Sequence, residues 1–326
     1  MTQSDSDALD LNALFEELQS QQAEAALPED HRSGFVAVVG QPNVGKSTLI
    51  NRLIGQKIAI ISPKPQTTRR RILGILTRED AQVIFVDTPG VHEPLHRLGE
   101  YMNEMALTAI PDADVVLFLV QAGTAPDDLD RQIASKIAHF EGPKVLVINK
   151  IDVVEQDVAS ARYTAYQALG KWDEMLLISA TEGHGVEGVL DALIKHLPQG
   201  PRYYPEGQVT DQHERDFGAE VIREAALGYL EQEVPHALNV EVDEWKEREN
   251  GMLYISATLY VERDSQKGIV IGEGGKMLKR ISSQARRELE RILEQKVYLE
   301  LWVKVREKWR SSENWLGRWG YKPPKE

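Results

Sequence analysis

The sequence contains no cysteine, which excludes disulfide bonds and metal sites built from thiolates. It also lacks an apolar run of about 18 residues, the length that a helix needs to cross a bilayer. Its first residues show neither the basic start nor the apolar stretch of a secretory signal. We therefore expect a cytoplasmic protein, with any membrane contact limited to the bilayer surface.

Acidic residues outnumber basic ones except near the C-terminus. Residues 1–32 carry a net charge of −7, residues 33–262 carry −13 and residues 263–326 carry +7, which gives −13 for the 326 residues. A basic end on an acidic protein favours one surface that meets a polyanion, although a solvated helix face would give the same charges. A chain of this length favours two domains.

Residues 33–197 alternate short apolar runs with helical patterns. The predicted strands are Phe35–Val39, Ile72–Leu76, Val83–Val86, Val115–Val120, Lys144–Ile148 and Met175–Ile178. The predicted helices are Lys46–Ile54, Leu98–Thr108, Asp127–Ala138, Val158–Leu169 and Val186–His196. Strands that are apolar throughout are typical of a mostly parallel sheet buried on both faces. The alternation predicts a doubly wound α/β domain.

Prolines and glycines at residues 198–210 interrupt this pattern and predict a linker. The elements predicted beyond it are a helix at Arg215–Gln232, hairpin strands at Asn239–Arg248 and Leu253–Arg263, a glycine-rich turn, a basic helix at Lys276–Glu294 and a strand at Val297–Val305. We assign residues 211–308 to a second domain of the α+β class. Residues 309–326 form a tail rich in tryptophan, and residues 1–32 form an acidic extension that we expect to be flexible.

A glycine-rich segment follows the first predicted strand and opens the first predicted helix. Its residues are Gly40, Gln41, Pro42, Asn43, Val44, Gly45, Lys46, Ser47 and Thr48, in the pattern Gly-x-x-x-x-Gly-Lys-Ser. The amides of such a loop and of the helix N-terminus point at an anion. Lys46 would contact the β- and γ-phosphates, and the Ser47 hydroxyl would coordinate Mg²⁺. This phosphate loop predicts a site for ATP or GTP.

Two later motifs, Asn149-Lys150-Ile-Asp152 and Ser179-Ala180, identify the base as guanine. The Asp152 carboxylate can accept hydrogen bonds from N1–H and the 2-amino group of guanine, whereas adenine would leave it unpaired. We expect Asn149 to bridge the N7 side of the base and neighbouring loops. We also expect Lys150 to lie along the ring and the Ala180 amide to donate to O6. The sequence therefore predicts GTP rather than ATP.

The segment Asp87-Thr88-Pro89-Gly90 ends another buried strand. A buried carboxylate needs a partner, and Mg²⁺ held through a water would supply one for Asp87. Gly90 can offer its amide to the γ-phosphate, and its flexibility lets the following segment move when that phosphate leaves. Thr67 and Thr68 precede this motif in the polar segment Ser62–Arg71, which we interpret as the first switch, with an ordinary surface loop as the alternative. We expect one of these threonines to be the second Mg²⁺ ligand.

The side chain that would orient the attacking water is missing. Ras-type GTPases carry a glutamine directly after the Asp-x-x-Gly motif, where this chain has Val91. Hydrolysis must then use backbone groups, another side chain, a partner or a cation. Asn43 could coordinate K⁺ near the phosphates or merely stabilise its turn. We expect slow GTP hydrolysis that depends on Asn43, Lys46, Thr68 and Gly90.

With these motifs in order, residues 34–308 resemble the Era family of bacterial GTPases. The segment Pro65–Arg69 is similar to the first switch of that family. The segment Gly268–Ile281 is similar to the signature of a type II KH domain, with its Gly-x-x-Gly loop at Gly272–Gly275. The resemblance implies a P-loop GTPase domain followed by a type II KH domain that binds the 3′ end of 16S rRNA. It also implies a role in 16S rRNA processing and 30S subunit biogenesis.

The KH-like segment has properties that suit RNA. A Gly-x-x-Gly loop lets an RNA backbone approach closely, and we expect flanking apolar residues such as Ile269 and Ile271 to line a groove for about four unpaired bases. Residues 267–287 carry a net charge of +5, and we expect the acidic side chain of Glu273 to face solvent. The candidate RNA-binding residues are Lys267, Gly268, Ile269, Ile271, Gly272, Glu273, Gly274, Gly275, Lys276, Lys279 and Arg280.

Trp309, Trp315 and Trp319 distinguish the tail. Their rings could stack on bases, lie at a membrane surface or pack against the KH sheet, and packing is the default. The resemblance implies peripheral association with the inner membrane, so a membrane-associated regulatory GTPase remains an alternative. A GTP-sensing RNA-binding protein with negligible hydrolysis is another. The expected partners of this predicted monomer are GTP, GDP, 16S rRNA and the 30S subunit.

Overall fold

The computed structural model describes residues 27–321. Most of the acidic extension, predicted to be flexible, lies outside the described residues, as do residues 322–326 of the tail. The described chain forms a six-stranded and a three-stranded sheet, each with its own helices. No helix within residues 27–321 is long and apolar enough to cross a membrane.

The six-stranded sheet is mostly parallel. Its strands are β1 (Arg32–Val39), β2 (Ile72–Thr77), β3 (Ala81–Asp87), β4 (Val115–Gln121), β5 (Lys144–Asn149) and β6 (Glu174–Leu177). Their spatial order is β2-β3-β1-β4-β5-β6, and β2 alone pairs antiparallel with its neighbour. The predicted doubly wound, mostly parallel sheet is therefore confirmed.

Helices cover both faces of this sheet. They are α1 (Lys46–Ile54), α2 (Arg97–Thr108), α3 (Asp128–Ile137), α4 (Gln156–Gln167) and α5 (Val186–His196). Helices α1 and α5 pack in one apolar layer, and α2, α3 and α4 pack in the other. Because β1, β3, β4, β5 and β6 run in the same direction, the loops at their carboxyl ends meet at one edge of the sheet.

The second sheet belongs to the α+β domain. Its elements are α6 (Glu214–Leu227), α7 (Val234–Ala237), β7 (Asn239–Glu247), β8 (Leu253–Val261), α8 (Asp264–Ile271), α9 (Lys276–Leu293) and β9 (Val297–Val305). Strand β8 pairs antiparallel with β7 and parallel with β9, so β9 is an edge strand. Helices α6, α8 and α9 contribute to one apolar core beneath the sheet. Apart from the additional short helix α7, the order is helix–strand–strand–helix–helix–strand, which agrees with the type II KH domain that the resemblance implies.

The structure differs from the predicted bounds mainly around α6. The sequence predicted a helix to Gln232, but α6 ends at Leu227, and the short helix α7 with Pro235 near its start follows. The strand predicted to Arg263 ends at Val261 because α8 begins at Asp264. The other predicted bounds lie within three residues of those observed.

The segment predicted as a linker, residues 198–210, runs along the edge of the first sheet. The Ile75 N–H donates to the Val209 carbonyl at 2.8 Å, and the Thr210 hydroxyl donates to the Leu73 carbonyl at 2.8 Å. Gln82 in β3 accepts from the amides of Tyr203 and Tyr204. The segment therefore covers the exposed edge of β2.

The tryptophan-rich tail packs inside the protein. It forms a 3₁₀ turn at Trp309–Ser311 and a short helix α10 (Glu313–Arg318). Trp309 and Trp319 are buried, and their ring centroids lie 5.2 Å apart. Trp319 also packs on Tyr260 of β8 at 5.0 Å. Of the three alternatives from the sequence, the tail adopts the default, packing against the KH-like sheet, where it covers one end of the outer face.

Candidate functional site

A cleft of about 380 Å³ lies at the carboxyl edge of the six-stranded sheet. The phosphate-loop and motif residues that line it are Pro42, Asn43, Gly45, Lys46, Ser47, Thr48, Gly90 and Lys150. Thr88 and Ser179 are buried behind it, and the Thr88 hydroxyl donates to the Val38 carbonyl at 2.8 Å. Gln41 Nε2 donates to Asp127 Oδ1, which links the phosphate loop to the start of α3. The predicted motifs thus meet around one cleft.

The phosphate loop requires glycine at its end. Gly45 has φ 106°, and a Cβ there would lie 2.3 Å from Asn149 Nδ2. Lys46 then starts α1 with its ammonium buried, donating to the carbonyls of Gly40 at 3.2 Å and Gln41 at 2.9 Å. Burial lowers the pKa of Lys46 to about 8, and the Asp87 carboxylate opposes that effect. Phosphate oxygens would give this ammonium an anionic partner and favour its charged form.

Three oxygen-bearing side chains converge beside Lys46. Ser47 Oγ donates to Asp87 Oδ2 at 2.7 Å and lies 2.9 Å from Thr68 Oγ1. Asp87 is fully buried, and within residues 27–321 its Oδ1 has no hydrogen-bond partner. Burial raises the pKa of Asp87 to about 6, against the opposing effects of the Ser47 hydroxyl and the Lys46 ammonium. These oxygens fit Mg²⁺, a hard cation whose charge would favour the ionised carboxylate.

Thr67, the other candidate metal ligand, makes its hydrogen bonds outside this cluster. Its hydroxyl donates to the Lys64 carbonyl at 2.6 Å. Its own carbonyl accepts from Arg223 of α6. The sequence alone could not separate two adjacent threonines, whereas the structure places Thr68 beside Ser47.

Asn149 joins the loops of the expected base site. Its Nδ2 donates to the Val44 carbonyl at 2.8 Å, and its Oδ1 accepts from the Ala180 N–H at 2.9 Å. The Ala180 amide, expected to reach O6 of the base, is thus directed at Asn149. Lys150, expected to lie along the base, instead donates to the Asn43 carbonyl at 2.6 Å and to Gln121 Oε1 at 2.9 Å.

Asp152 is exposed on the 3₁₀ turn Ile151–Val153. Within the described part of the chain, its carboxylate makes neither a side-chain hydrogen bond nor an ion pair. It is therefore accessible to a ligand, as recognition of guanine N1–H and the 2-amino group requires.

Val91, the residue directly after Gly90, offers no polar side chain to a water molecule. Val91 is 6% exposed and packs in an apolar core, while its N–H donates to the Gly40 carbonyl at 3.2 Å. Gln66, which sequence reasoning missed, lines the nucleotide cleft with φ 60°. The available signal was an amide side chain two residues before Thr68.

Asn43 also lies at the mouth of the cleft. It has φ 63°, and its Nδ2 donates to the Pro63 carbonyl at 2.8 Å. This bond ties the phosphate loop to the first switch. It also orients the amide with its nitrogen toward the switch, which leaves Oδ1 as the atom that could bind a cation.

The Gly-x-x-Gly loop connects α8 to α9 through the 3₁₀ turn Glu273–Gly275. Gly272 has φ 72°, and a Cβ there would lie 2.6 Å from the Cβ of Met277. The Glu273 side chain is 93% exposed and lies 3.8 Å from Lys276 Nζ. The acid inside the loop therefore faces solvent beside a cation rather than the groove.

A cleft of about 310 Å³ lies between α9 and the edge strand β9. It is lined by Gly275, Leu278, Lys279, Ser282, Tyr298, Leu299, Glu300 and Leu301. From the sequence we predicted that Ile269 and Ile271 line the groove, but Ile271 packs against the domain core. Ile269 is 48% exposed on α8. Leucines of α9 and β9 therefore form the apolar wall, which the loop motif alone did not indicate.

Basic side chains extend along α9 from the glycine loop. Lys276, Lys279, Arg280 and Arg287 border a depression of about 550 Å³ together with Tyr229. The Arg280 guanidinium lies 4.6 Å from the Tyr229 ring centroid. Of the predicted RNA-binding residues, Lys276, Lys279 and Arg280 thus share one basic surface next to the cleft. Lys267 and Gly268 lie on α8, on the other side of the loop.

Two family models match parts of the chain. Residues 35–150 match a 50S ribosome-binding GTPase family, and residues 233–310 match the KH domain family. The crystal structure of Era in complex with MgGDPNP and nucleotides 1506–1542 of 16S ribosomal RNA is 39% identical, with a TM-score of 0.86. That match covers 90% of this chain and 100% of the Era chain. The chain belongs to the Era family.

A second similar structure is that of an Aquifex aeolicus Era variant bound to GDP and AlF₄⁻. It has the same identity, TM-score and coverage of both chains. Residues 35–150, which hold the phosphate loop, Thr68 and Asp87–Gly90, therefore belong to the GTPase domain of an Era-family protein, and residues 233–310 belong to its KH domain.

In this Era-family GTPase, the KH domain holds the first switch through Arg69. Arg69 directly follows Thr68 and is 2% exposed. Its terminal nitrogens donate to three carbonyls around α7, those of Leu238 at 2.6 Å, His236 at 3.0 Å and Pro235 at 3.2 Å. Burial, together with the charge of the nearby Arg223, lowers the pKa of Arg69 to about 10. The guanidinium remains charged at neutral pH, inside the contact between the two domains.

The tail and α6 contact the same switch. The Arg69 guanidinium lies 5.7 Å from the Trp309 ring, and that of Arg70 lies 5.2 Å from the Tyr321 ring. Arg70 also pairs with Asp216 of α6 at 3.2 Å. Glu224 of α6 accepts from the Ile61 N–H at 2.8 Å and pairs with Lys57. The switch is therefore held from two sides by elements outside the GTPase domain.

Proposed function

We propose that this Era-family GTPase binds the 3′ region of 16S rRNA through its KH domain in a GTP-dependent manner and acts in assembly of the 30S subunit. The observation that carries the proposal is the adjacency of Thr68, beside Ser47 at the nucleotide, and Arg69, inside the KH contact. The Era structure with MgGDPNP and 16S rRNA nucleotides supports it by similarity. A change of nucleotide that moves the first switch must alter these KH contacts.

The nucleotide is proposed to bind with its phosphates in the glycine-rich loop and its guanine at Asp152. Lys46 would hold the β- and γ-phosphates, and the Gly90 amide would contact the γ-phosphate. Ser47, Thr68 and Asp87 would hold Mg²⁺, which stabilises charge on the transferred phosphoryl group. Loss of the γ-phosphate would release the contact at Gly90 and weaken the hold on Thr68, so the segment after Gly90 and the first switch would both respond.

Hydrolysis requires help that Val91 cannot give. We assign K⁺ to Asn43 Oδ1, where a cation beside the phosphates would stabilise negative charge as an arginine finger does. The Gln66 amide, at the same cleft, can orient the attacking water. Both groups lie on or against the first switch, so hydrolysis should be slow until the switch is closed.

RNA is proposed to follow the cleft between α9 and β9, with its backbone at the Gly-x-x-Gly loop and its phosphates near the basic surface of α9. We propose the divisions 1–32, 33–197, 198–210, 211–308 and 309–326, with 198–210 bonded along β2 as part of the GTPase domain rather than as a free linker. We propose a cytoplasmic monomer. Burial of Trp309 and Trp319 removes two of the rings that a membrane-anchoring tail would need.

The test is binding of the full chain to RNA with the sequence of the 16S rRNA 3′ end, in GDP and in a non-hydrolysable GTP analogue. We expect tighter, sequence-selective binding with the analogue and little binding of a scrambled RNA. Lys279→Glu should weaken binding, whereas the matched charge reversal Lys136→Glu, on the exposed side of α3, should not. Equal affinity in the two nucleotide states would remove the gating. Unselective binding would remove the rRNA assignment.

A further inference from the structure

Two aromatic rings remain half exposed on the edge strand of the KH domain. Tyr298 and Trp302 are 50% and 54% exposed. They lie four residues apart on β9, so both side chains leave the same face of the sheet. That face is the outer one, opposite the core that α6, α8 and α9 form.

The neighbouring strand supports Tyr298. Tyr254 of β8 pairs with it in register, and the two rings stack at 5.9 Å with an interplanar angle of 23°. The Arg248 guanidinium lies 4.5 Å from the Tyr254 ring and 4.9 Å from the Tyr298 ring. The Tyr254 hydroxyl donates to Glu300 Oε2 at 2.7 Å. These contacts hold a flat aromatic surface in place.

The surface is continuous with the proposed RNA groove. Tyr298 also lines the cleft between α9 and β9, so the outer face begins where that cleft ends. At the other end of the face, Trp315 and Trp319 of the tail cover Tyr260. Trp302 lies between these two regions, opposite Thr258 in the register of β8 and β9.

The outer face carries cations beside its exposed rings, which suits a ligand that has both stacking bases and phosphates. Across the described chain, Arg248 and Lys304 have no acidic partner at ion-pair distance. The acidic side chains of the face are each engaged. Glu244 pairs with Lys246 at 3.2 Å and Glu241 with Arg318 at 3.0 Å, while Glu300 accepts from the Tyr254 hydroxyl and Asp243 from the Thr258 hydroxyl. The face thus combines two available cations with exposed rings, which is how proteins bind unpaired nucleotides with little sequence preference.

We propose that Tyr298 and Trp302 form a second RNA contact, on which an unpaired base outside the groove stacks as the strand passes around the edge of β9. This inference rests on the proposed function. A KH groove holds about four bases, so a longer single strand must leave it, and Tyr298 lies at one exit. The contact would lengthen the bound RNA without adding base specificity.

The test compares three RNAs on the full chain with the GTP analogue. One is a short RNA that fills the groove, and the other two are the same RNA extended by about four unpaired nucleotides at its 5′ or its 3′ end. Trp302→Ala should weaken binding of an extended RNA by roughly 5- to 150-fold, the equivalent of about 1–3 kcal/mol per stacked base. Binding of the short RNA should change less than about twofold. Trp302→Phe should restore most of the loss, because it keeps a stacking ring.

Tyr203→Ala is the matched control, since Tyr203 is 53% exposed and lies outside the KH domain. Unchanged binding of both extended RNAs to Trp302→Ala would overturn the second contact. An equal loss with the short RNA would also overturn it. Loss of self-association in sedimentation, without an RNA effect, would assign the face to a second copy of the chain instead. If none of these RNAs binds the unmodified chain, that result contradicts the proposed function and not the second contact itself.

Discussion

Replacing Arg69 with alanine would remove a buried guanidinium that joins the first switch to the KH domain. In the folded protein, this group donates to three carbonyls within residues 235–238. Alanine cannot supply those donors, and the low exposure of the site leaves little room for water to replace them. We therefore expect Arg69→Ala to uncouple RNA binding from the nucleotide.

The contacts are strong enough to carry the coupling. A hydrogen bond from a charged donor contributes about 1.5–3 kcal/mol, so three of them set an upper limit of roughly 4.5–9 kcal/mol. Dehydration of the guanidinium opposes this sum, as the lowered pKa of Arg69 indicates. Removing one member of a buried charged contact costs about 3–5 kcal/mol. That loss exceeds the about 1–3 kcal/mol that is typical of coupling between two sites.

The measured quantity is the ratio of RNA dissociation constants in GDP and in the GTP analogue, at one fixed salt concentration. Coupling of about 1–3 kcal/mol corresponds to a ratio of roughly 5–150 in the unmodified chain. In Arg69→Ala the ratio should fall to about 1. GDP binding should persist, because Lys46 and Asp152 are untouched.

Arg71→Ala is the matched control. Arg71 lies in the same segment but is exposed, so its loss should leave the ratio unchanged. Arg69→Lys should be intermediate, because an ammonium keeps the charge but lacks the planar fork that serves several carbonyls at once. If Arg69→Ala folds normally and keeps the ratio of RNA dissociation constants seen in the unmodified chain, coupling through Arg69 is refuted.

Three further results are expected at the nucleotide. Thr68→Ala should weaken Mg²⁺-dependent binding of the GTP analogue by at least about tenfold, since a hydroxyl ligand is lost, and Thr67→Ala should not; a Mg²⁺ titration that affects both variants alike would contradict the assignment. Asp152→Asn should exchange the preference for GTP for xanthosine triphosphate, by about 10²-fold or more in a competition assay, and retained GTP preference would remove Asp152 from the base site. Asn43→Ala should abolish any stimulation of turnover by KCl relative to NaCl, whereas a persisting K⁺ response would place the cation elsewhere.

Local patterns predicted the elements around the site well. The bounds of α1 at Lys46–Ile54 and α5 at Val186–His196 agree with the sequence because apolar periodicity and flanking glycines act over a few residues. Helix α3 begins at Asp128, one residue later than expected, because the Asp127 carboxylate accepts from the Asp130 N–H at 2.9 Å as a cap.

Contacts between distant residues were not predictable in the same way. Arg69 and Leu238 are 169 residues apart in the chain, and an arginine in a polar segment reads as exposed. Its burial depends on how the two domains meet. The spacing of apolar residues within one helix or strand carries no information about that contact. The choice of Thr68 over Thr67 likewise follows from the turn that Thr67 closes with Lys64. The hydrogen bond from the Ala180 N–H to Asn149 Oδ1 depends on how close the loops after β5 and β6 lie.

The segment at residues 198–210 has a consequence for how the protein can be divided. Because the Val209 carbonyl accepts from the Ile75 N–H and the Thr210 hydroxyl donates to the Leu73 carbonyl along β2, the segment completes the GTPase domain rather than merely tethering the next one. A fragment ending at residue 197 would expose an unpaired strand edge of the kind that recruits other chains, so it should aggregate. A fragment carried on to residue 210 should stay dispersed, and the cut between the two functional halves belongs after that residue.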